Sequence, residues 1–212
     1  MNTVLIHNLL FPCRCPFCDK TICRDVPCCD DCKQYLDIVP SIRTLPNGHK
    51  CLSAFLYEGI YRSAVLNYKY RRRKQLYCQF AIILSSIIKN KYHDIKFDYY
   101  TSVPPHKNKR KKSDKKFDQT ALLAKETAKL DNIEYKMVLY QSKEYRTQHT
   151  LSKEERIVNV KGVFERLENS DIKNKTILIF DDIVTTGNTL SSCVDIMMKN
   201  GAKQVYCVTI AW

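Results

Sequence analysis

Two hydrophobic patterns alternate along the chain from residue 51 onward. Short apolar runs, typical of buried strands, are separated by segments in which apolar residues recur every three or four positions, as on one face of a helix. Strands that alternate with helices predict an α/β fold. The predicted strands are 51–57, 97–103, 135–140, 177–180 and 205–210, and the predicted helices are 60–70, 76–88, 117–130 and 189–199.

The clearest unit lies near the carboxyl end. The apolar strand from Ile177 to Phe180 precedes a helix from about Thr189 to Lys199, which Asn200 and Gly201 end. The strand from Val205 to Ile210 follows. Because a strand–helix–strand connection within one sheet is right-handed, we expect these two strands to lie parallel.

A break at Pro46, Asn47 and Gly48 separates this α/β part from a cysteine-rich start. We therefore expect two domains, residues 1–48 and residues 49–212. Within the second domain, residues 107–116 contain seven basic side chains in ten and no apolar periodicity, which predicts a loop.

Seven of the eleven cysteines lie between Cys13 and Cys32. Clustering at one end is more typical of metal binding in a reducing cytoplasm than of a disulfide framework. Two C-x-x-C pairs can each place two thiolates on one turn, and together they complete a tetrahedral zinc shell in a ribbon or knuckle. The alternative is a cysteine cluster without metal, and nearby Cys13, Cys23 and Cys28 leave the choice of ligands open. The predicted ligands are Cys15, Cys18, Cys29 and Cys32.

Composition narrows the function classes. A formal net charge of +13 favours polyanionic partners such as nucleic acid or nucleotide phosphates. No apolar run reaches the roughly 18 residues that span a bilayer. The apolar start at residues 1–12 lacks a basic front and a small-residue cleavage site, so we do not expect a signal peptide. We expect a cytoplasmic protein.

The segment ILIFDDIVTTGNTL at 177–190 carries the most specific chemistry. Asp181 and Asp182 follow the apolar strand, and carboxylates suit the vicinal hydroxyls of ribose. Hydroxyls and backbone N–H groups at the start of the next helix suit a phosphate. The alternative is an ordinary strand–turn–helix with surface acids. The predicted phosphate-binding residues are Thr185, Thr186, Gly187, Asn188 and Thr189.

This segment resembles the phosphoribosyl pyrophosphate (PRPP) signature of the type I phosphoribosyltransferases. The wider chain resembles the ComF family of bacterial competence proteins in its amino-terminal C-x-x-C pairs and several later motifs. The family usually has R-G-F-N-Q where this chain has K-K-F-D-Q at 115–119. The later motifs are K-Y-R near residue 70, V-P-P-H at 103–106, F-D-Q at 117–119 and RTQHTLSKEERIVNVKGVF at 146–164.

The resemblance implies a type I phosphoribosyltransferase-like parallel sheet behind an amino-terminal zinc module. It implies that Asp181 and Asp182 face the ribose of PRPP, with Mg²⁺ as cofactor. It also implies a pyrophosphate loop at Pro104, Pro105 and His106, and a closing loop across 146–156 that includes Arg146, Gln148 and Arg156. DNA uptake in natural transformation is the implied process. Single-stranded DNA and the competence helicase machinery are the implied partners.

Two hypotheses follow. The first is a transferase that uses PRPP, although the sequence identifies no acceptor pocket and no catalytic residue. The second is a non-catalytic PRPP sensor or single-stranded-DNA-binding protein, in which the basic runs at 69–74 and 107–116 contact phosphates. The alternative for each basic run is a solvated lysine-rich loop.

Overall fold

A computed structural model describes residues 13–36, 38–70, 74–105, 118–142 and 163–212. A five-stranded sheet in the order β3-β4-β9-β8-β5 forms its centre, and β4, β9, β8 and β5 run parallel. The predicted α/β class is therefore confirmed. The strands are β1 Cys13–Arg14, β2 Thr21–Ile22, β3 Ser41–Thr44, β4 Lys50–Phe55, β5 Tyr99–Ser102, β6 Leu139–Gln141, β7 Phe164–Arg166, β8 Thr176–Ile183 and β9 Gln204–Ala211. The helices are α1 Asp30–Tyr35, α2 Gly59–Tyr70, α3 Tyr77–Lys91, α4 Gln119–Asp131 and α5 Asn188–Lys199.

Both faces of the sheet are covered. Along β8, Leu178 and Phe180 pack into a core cluster with α2, α3 and α4, whereas Ile177 and Ile179 pack into a second cluster with α5. Alternate side chains of a strand point to opposite faces, so an all-apolar run is what a strand buried on both faces requires. β8 lies between β9 and β5 with both of its faces buried, and its residues 177–180 are all apolar.

Two elements differ from the sequence-based expectation. Ser41–Thr44 precedes the expected domain boundary, yet it pairs antiparallel with β4 as an edge strand of the main sheet. Of the predicted strand 135–140, the structure assigns only the end, in β6 Leu139–Gln141. Tyr135 makes a single bridge to Tyr100, after which the chain leaves the central sheet and pairs with β7. The division at residue 48 stays a prediction.

The cysteine-rich segment rests on the α2 and α3 side of the sheet. Phe17 contacts Phe55 and Tyr61 edge to face, with ring centroids 5.9 and 6.0 Å apart. Gln79 Nε2 on α3 also donates to the Arg24 carbonyl at 3.3 Å. Within the described parts of the chain, no helix combines the length and hydropathy needed to cross a bilayer.

Candidate functional site

The end of β8 brings the two acids to the carboxyl edge of the parallel sheet. Asp181 lies opposite Thr209 of β9, and Thr209 Oγ1 donates to the Asp182 carbonyl at 2.9 Å. On the other side, the Val103 N–H donates to the Phe180 carbonyl at 2.9 Å. The turn after β5 therefore lies beside the acids. Ligand sites of open α/β sheets occur at this edge.

Asp181 and Asp182 leave β8 toward opposite faces, as strand alternation requires. Asp182 points toward α2, where Lys69 Nζ lies 2.9 Å from its Oδ2 and 3.0 Å from its Oδ1. Asp181 lies on the α5 side and is half-buried. The Asp182 N–H donates to Asp181 Oδ1 at 2.8 Å, so a direct hydrogen bond still joins the two residues. The more accessible of the two carboxylates is that of Asp181.

The charge of Asp181 is disfavoured in the folded chain. Burial is the main cause and the neighbouring Asp182 carboxylate adds to it, so the pKa of Asp181 rises to about 8. Lys69 and the Asp182 N–H oppose this rise. A carboxyl group in such surroundings gains from any ligand that donates hydrogen bonds to its charged form.

The turn after the acids prepares the start of α5 for an anion. Gly187 occupies the N-cap position with φ of +77°, in the left-handed region where glycine is favoured. Because glycine has no side chain, the N-cap residue accepts no side-chain hydrogen bond from the first N–H groups of α5. Thr185 is exposed, and Thr186, Asn188 and Thr189 are half-buried around the same turn. Free N–H groups and hydroxyls at a helix start form a phosphate-binding arrangement.

The turn between β3 and β4 braces this glycine turn. A Cβ atom on Gly187 would lie 2.9 Å from Leu45 Cδ2 and 3.0 Å from Pro46 Cδ, so no larger residue fits there without displacement. Asn47 Nδ2 donates to the Ser191 carbonyl at 3.1 Å and to Asp195 Oδ1 at 2.8 Å. Trp212 Nε1 donates to the Thr185 carbonyl at 3.1 Å. Parts of the chain distant in sequence thus hold the turn.

Only part of the predicted pyrophosphate loop is described. Pro104 is buried and Pro105 is half-buried at the end of β5, beside the acids. His106, the lysine-rich run 107–116, and Arg146, Gln148 and Arg156 of the predicted closing loop lie outside the described residues.

Asp118 stands where the resembled family usually has asparagine, and it lies at the N-cap of α4. Its side chain caps α4 by accepting the Ala121 N–H at 3.0 Å, which asparagine does equally well. The next residue, Gln119, joins α4 to α2: its Nε2 donates to the Tyr68 carbonyl at 2.6 Å. The Tyr68 hydroxyl donates back to the Gln119 carbonyl at 2.7 Å.

The four predicted cysteine ligands come together. The Sγ atoms of Cys15, Cys18, Cys29 and Cys32 all lie within 4.8 Å of one another. Tetrahedral zinc with bonds of about 2.3 Å requires sulfur atoms about 3.8 Å apart, so the cluster fits zinc. Cys29 also caps α1, where its Sγ accepts the Cys32 N–H at 3.5 Å.

The surroundings of one of the four cysteines lower the pKa of its thiol. Burial raises the pKa of Cys15, but hydrogen bonds from the backbone of Cys29, Cys18 and Phe17 outweigh it and lower that pKa to about 7. Thiolates are the form that binds zinc. Among the described residues, this is the only group of three or more histidine, cysteine or acidic side chains close enough together to hold one metal ion. The open choice between seven cysteines is thereby narrowed to four.

Sequence reasoning missed three side chains around the β8 site. Lys69 was assigned to a basic run, Asn47 to a boundary turn, and Trp212 to no role. A lysine within a K-Y-R motif of the resembled family was the one available signal. Asn47 and Trp212 act through contacts that depend on how distant segments fold together.

Residues 120–211 match the family model of the phosphoribosyl transferase domain, a range that includes β8, the glycine turn, α5 and β9. The DNA utilization protein YhgH of Escherichia coli (strain K12) is 41% identical over 64 residues, which cover 29% of this chain and 27% of that protein. The protein of the same name from Shigella flexneri matches equally. The match thus spans about a quarter of the length of these relatives.

Solved structures of two enzymes are also similar. An adenine phosphoribosyltransferase aligns with a TM-score of 0.46 and 11% identity, over 84% of this chain and 88% of that one. The glutamine PRPP amidotransferase from B. subtilis, complexed with ADP and GMP, aligns with a TM-score of 0.44 and 18% identity, over 68% of this chain and 30% of that one. The fold class itself rests on the strand order and the family match.

Proposed function

We propose that the protein binds PRPP at the end of β8, because residues 120–211 match the phosphoribosyl transferase domain model and the chain is similar to a DNA utilization protein. The observation that carries this proposal is the succession of an apolar strand, two acids, and a glycine turn whose N-cap glycine leaves the helix start without a side-chain cap. Such a succession provides acceptors for a diol and donors for a phosphate within one turn of chain.

In this proposal each part of PRPP has its own residues. Asp181 and Asp182 accept hydrogen bonds from the ribose hydroxyls, and the α5 N–H groups with Thr185, Thr186 and Thr189 donate to the 5′-phosphate. The turn at Pro104, Pro105 and His106 contacts the pyrophosphate. Mg²⁺, when bound with PRPP, offsets the charge of the pyrophosphate.

We infer a structural role for zinc at Cys15, Cys18, Cys29 and Cys32. These cysteines lie on two short turns and one helix of six residues, which bury little apolar surface of their own. Metal binding would therefore supply much of the stability of this segment. The expected stoichiometry is about one zinc per chain.

The likeness to a protein named for DNA utilization favours a role in DNA uptake and natural transformation. We propose that the protein acts in the cytoplasm, with single-stranded DNA and the competence helicase machinery as partners. The net charge of +13 suits such a polyanion. Retention of single-stranded DNA at low salt, with affinity that falls steeply as salt rises, is the expected behaviour; absence of binding at low salt contradicts this part.

The proposal is tested by calorimetry of zinc-replete protein with PRPP and Mg²⁺. The wild type should bind, and the double variant Asp181→Asn with Asp182→Asn should lose both binding and ligand-induced thermal stabilisation while its circular dichroism stays unchanged. Equal stabilisation of the double variant refutes the site. A screen for pyrophosphate release over candidate acceptors then separates a transferase, which turns PRPP over, from a sensor, which binds it without turnover.

A further inference from the structure

The contact between Lys69 and Asp182 is the closest ion pair at the candidate site, and the proposed function assigns Lys69 no part. Nζ lies within 3.0 Å of both carboxylate oxygens, and the two side chains are only 20% and 12% exposed. Desolvating two charges is costly unless both remain paired. A largely buried pair at the mouth of a ligand site therefore points to a task beyond surface solubility.

Lys69 is held in place by its neighbour. The fully buried Tyr68 exchanges two hydrogen bonds with Gln119 of α4, at 2.7 and 2.6 Å. These bonds fix the last turn of α2 against α4, one residue before Lys69. The ammonium group consequently reaches Asp182 from a rigid support.

The hydrogen bonds of Asp182 show what this contact achieves. Its Oδ1 accepts the Ile183 N–H at 2.7 Å and Lys69 at 3.0 Å, which occupies both lone pairs of that oxygen. Its Oδ2 accepts Lys69 at 2.9 Å, which among the described residues leaves one lone pair for a ligand hydroxyl. The orientation of the carboxylate is thus set before any ligand arrives.

Charge gives a second reason for the contact. Two neighbouring carboxylates repel each other, and an ammonium at 2.9 Å from one of them offsets this repulsion.

We propose that Lys69 is a positioning residue for sugar-phosphate binding, which orients Asp182 toward the ribose hydroxyls and compensates the charge of the acid pair. This inference rests on the proposed function and assigns that site a residue on α2. It predicts that Lys69 matters for ligands that carry the ribose and not for phosphate alone.

The test measures, by calorimetry, the affinity of three variants for ribose 5-phosphate with Mg²⁺ and for inorganic phosphate. Lys69→Met should weaken ribose 5-phosphate binding about tenfold or more, and change phosphate binding less than about threefold, because it removes a charge-assisted contact at the ribose end alone. Lys69→Arg keeps the charge and should restore most of the affinity. Lys89→Met, which breaks a similar ion pair to the buried Asp131 between α3 and α4, should leave both affinities unchanged.

The double variant Lys69→Met with Asp182→Asn removes both charges of the pair, so it should fold even where Lys69→Met alone does not, and it should still bind ribose 5-phosphate poorly. A Lys69→Met protein that binds ribose 5-phosphate as the wild type does overturns this inference and leaves the proposed function standing. Equal loss of phosphate and ribose 5-phosphate binding also overturns it. A wild type that binds neither ribose 5-phosphate nor PRPP overturns both.

Discussion

The cysteine cluster and the site at the end of β8 are assembled in different ways. Cys15 and Cys18 share one turn, and Cys29 and Cys32 share another, so all four proposed ligands come from 18 consecutive residues. The β8 site instead depends on Lys69, 113 residues before Asp182, and on Asn47, 144 residues before Ser191. Local spacing suffices for a metal centre, whereas a ligand site on a sheet edge needs the finished fold.

We expect a single substitution within the cysteine cluster to have the largest of the predicted effects, because the four cysteines depend on one another for metal binding. If zinc binds as proposed, Cys15→Ser should abolish stoichiometric zinc and destabilise the cysteine-rich segment by several kcal/mol, because metal binding would be the main source of its stability. Metal analysis and limited proteolysis measure both effects. Cys23→Ser, an exposed cysteine outside the cluster, should retain about one zinc per chain. Zinc loss on replacing Cys23 contradicts the assigned ligands.

Gly187→Ala should break the β8 site through contacts with a distant segment. The positive φ costs about 1–2 kcal/mol, and the clash with Leu45 and Pro46 adds about 1–3 kcal/mol. Gly48→Ala is the matched control, because Gly48 has φ of +86° with nothing within 4 Å of its Cβ position. Urea unfolding should therefore give a larger loss at Gly187. Equal losses would mean that the close contact of Gly187 with Leu45 and Pro46 has no effect on the stability of the variant.

The pH dependence of stability sharpens the same contrast. Because the folded pKa of Asp181 is about 8 and its usual value is 3.8, the folded chain binds more protons than the unfolded chain between these values. The free energy of unfolding therefore falls as pH rises through this window. Asp181→Asn should raise the free energy of unfolding at pH 8 by an amount on the order of 1–2 kcal/mol, measured as a higher thermal midpoint, and change it little at pH 4. A pH-independent effect of the substitution counts against this assignment.

The smallest predicted effect concerns Asn47, which joins the turn between β3 and β4 to α5. Asn47→Ala removes the hydrogen bonds to the Ser191 carbonyl and to Asp195, and should cost about 1 kcal/mol in urea unfolding. A double-mutant cycle with Asp195→Ala should show a coupling energy of about 0.5–1 kcal/mol. A coupling of zero would mean that the turn between β3 and β4 packs on α5 without this hydrogen bond.

The predicted pattern of elements agrees with the structure where the core dictates it. The unit β8-α5-β9 was predicted with parallel strands, since an apolar run, a glycine stop and a second apolar run leave one arrangement. The strand predicted at 135–140 began too early, because the residues before Leu139 pair with β5 through one bridge alone. The hydrophobic pattern predicts whether a segment is buried. Hydrogen bonds to a neighbouring strand determine whether that segment is a strand.

The sequence by itself determined which groups are chemically able to bind: the two C-x-x-C pairs, the two acids and the glycine turn follow from spacing within about one turn of chain. Tertiary structure decided how they are presented. Strand alternation places Asp181 and Asp182 on opposite faces, and the packing of α2 on the sheet brings Lys69 to one of them. The packing of the β3–β4 turn against the start of α5 likewise brings Leu45 and Pro46 next to Gly187. Such contacts join residues more than a hundred positions apart, and spacing along the chain carries no record of them.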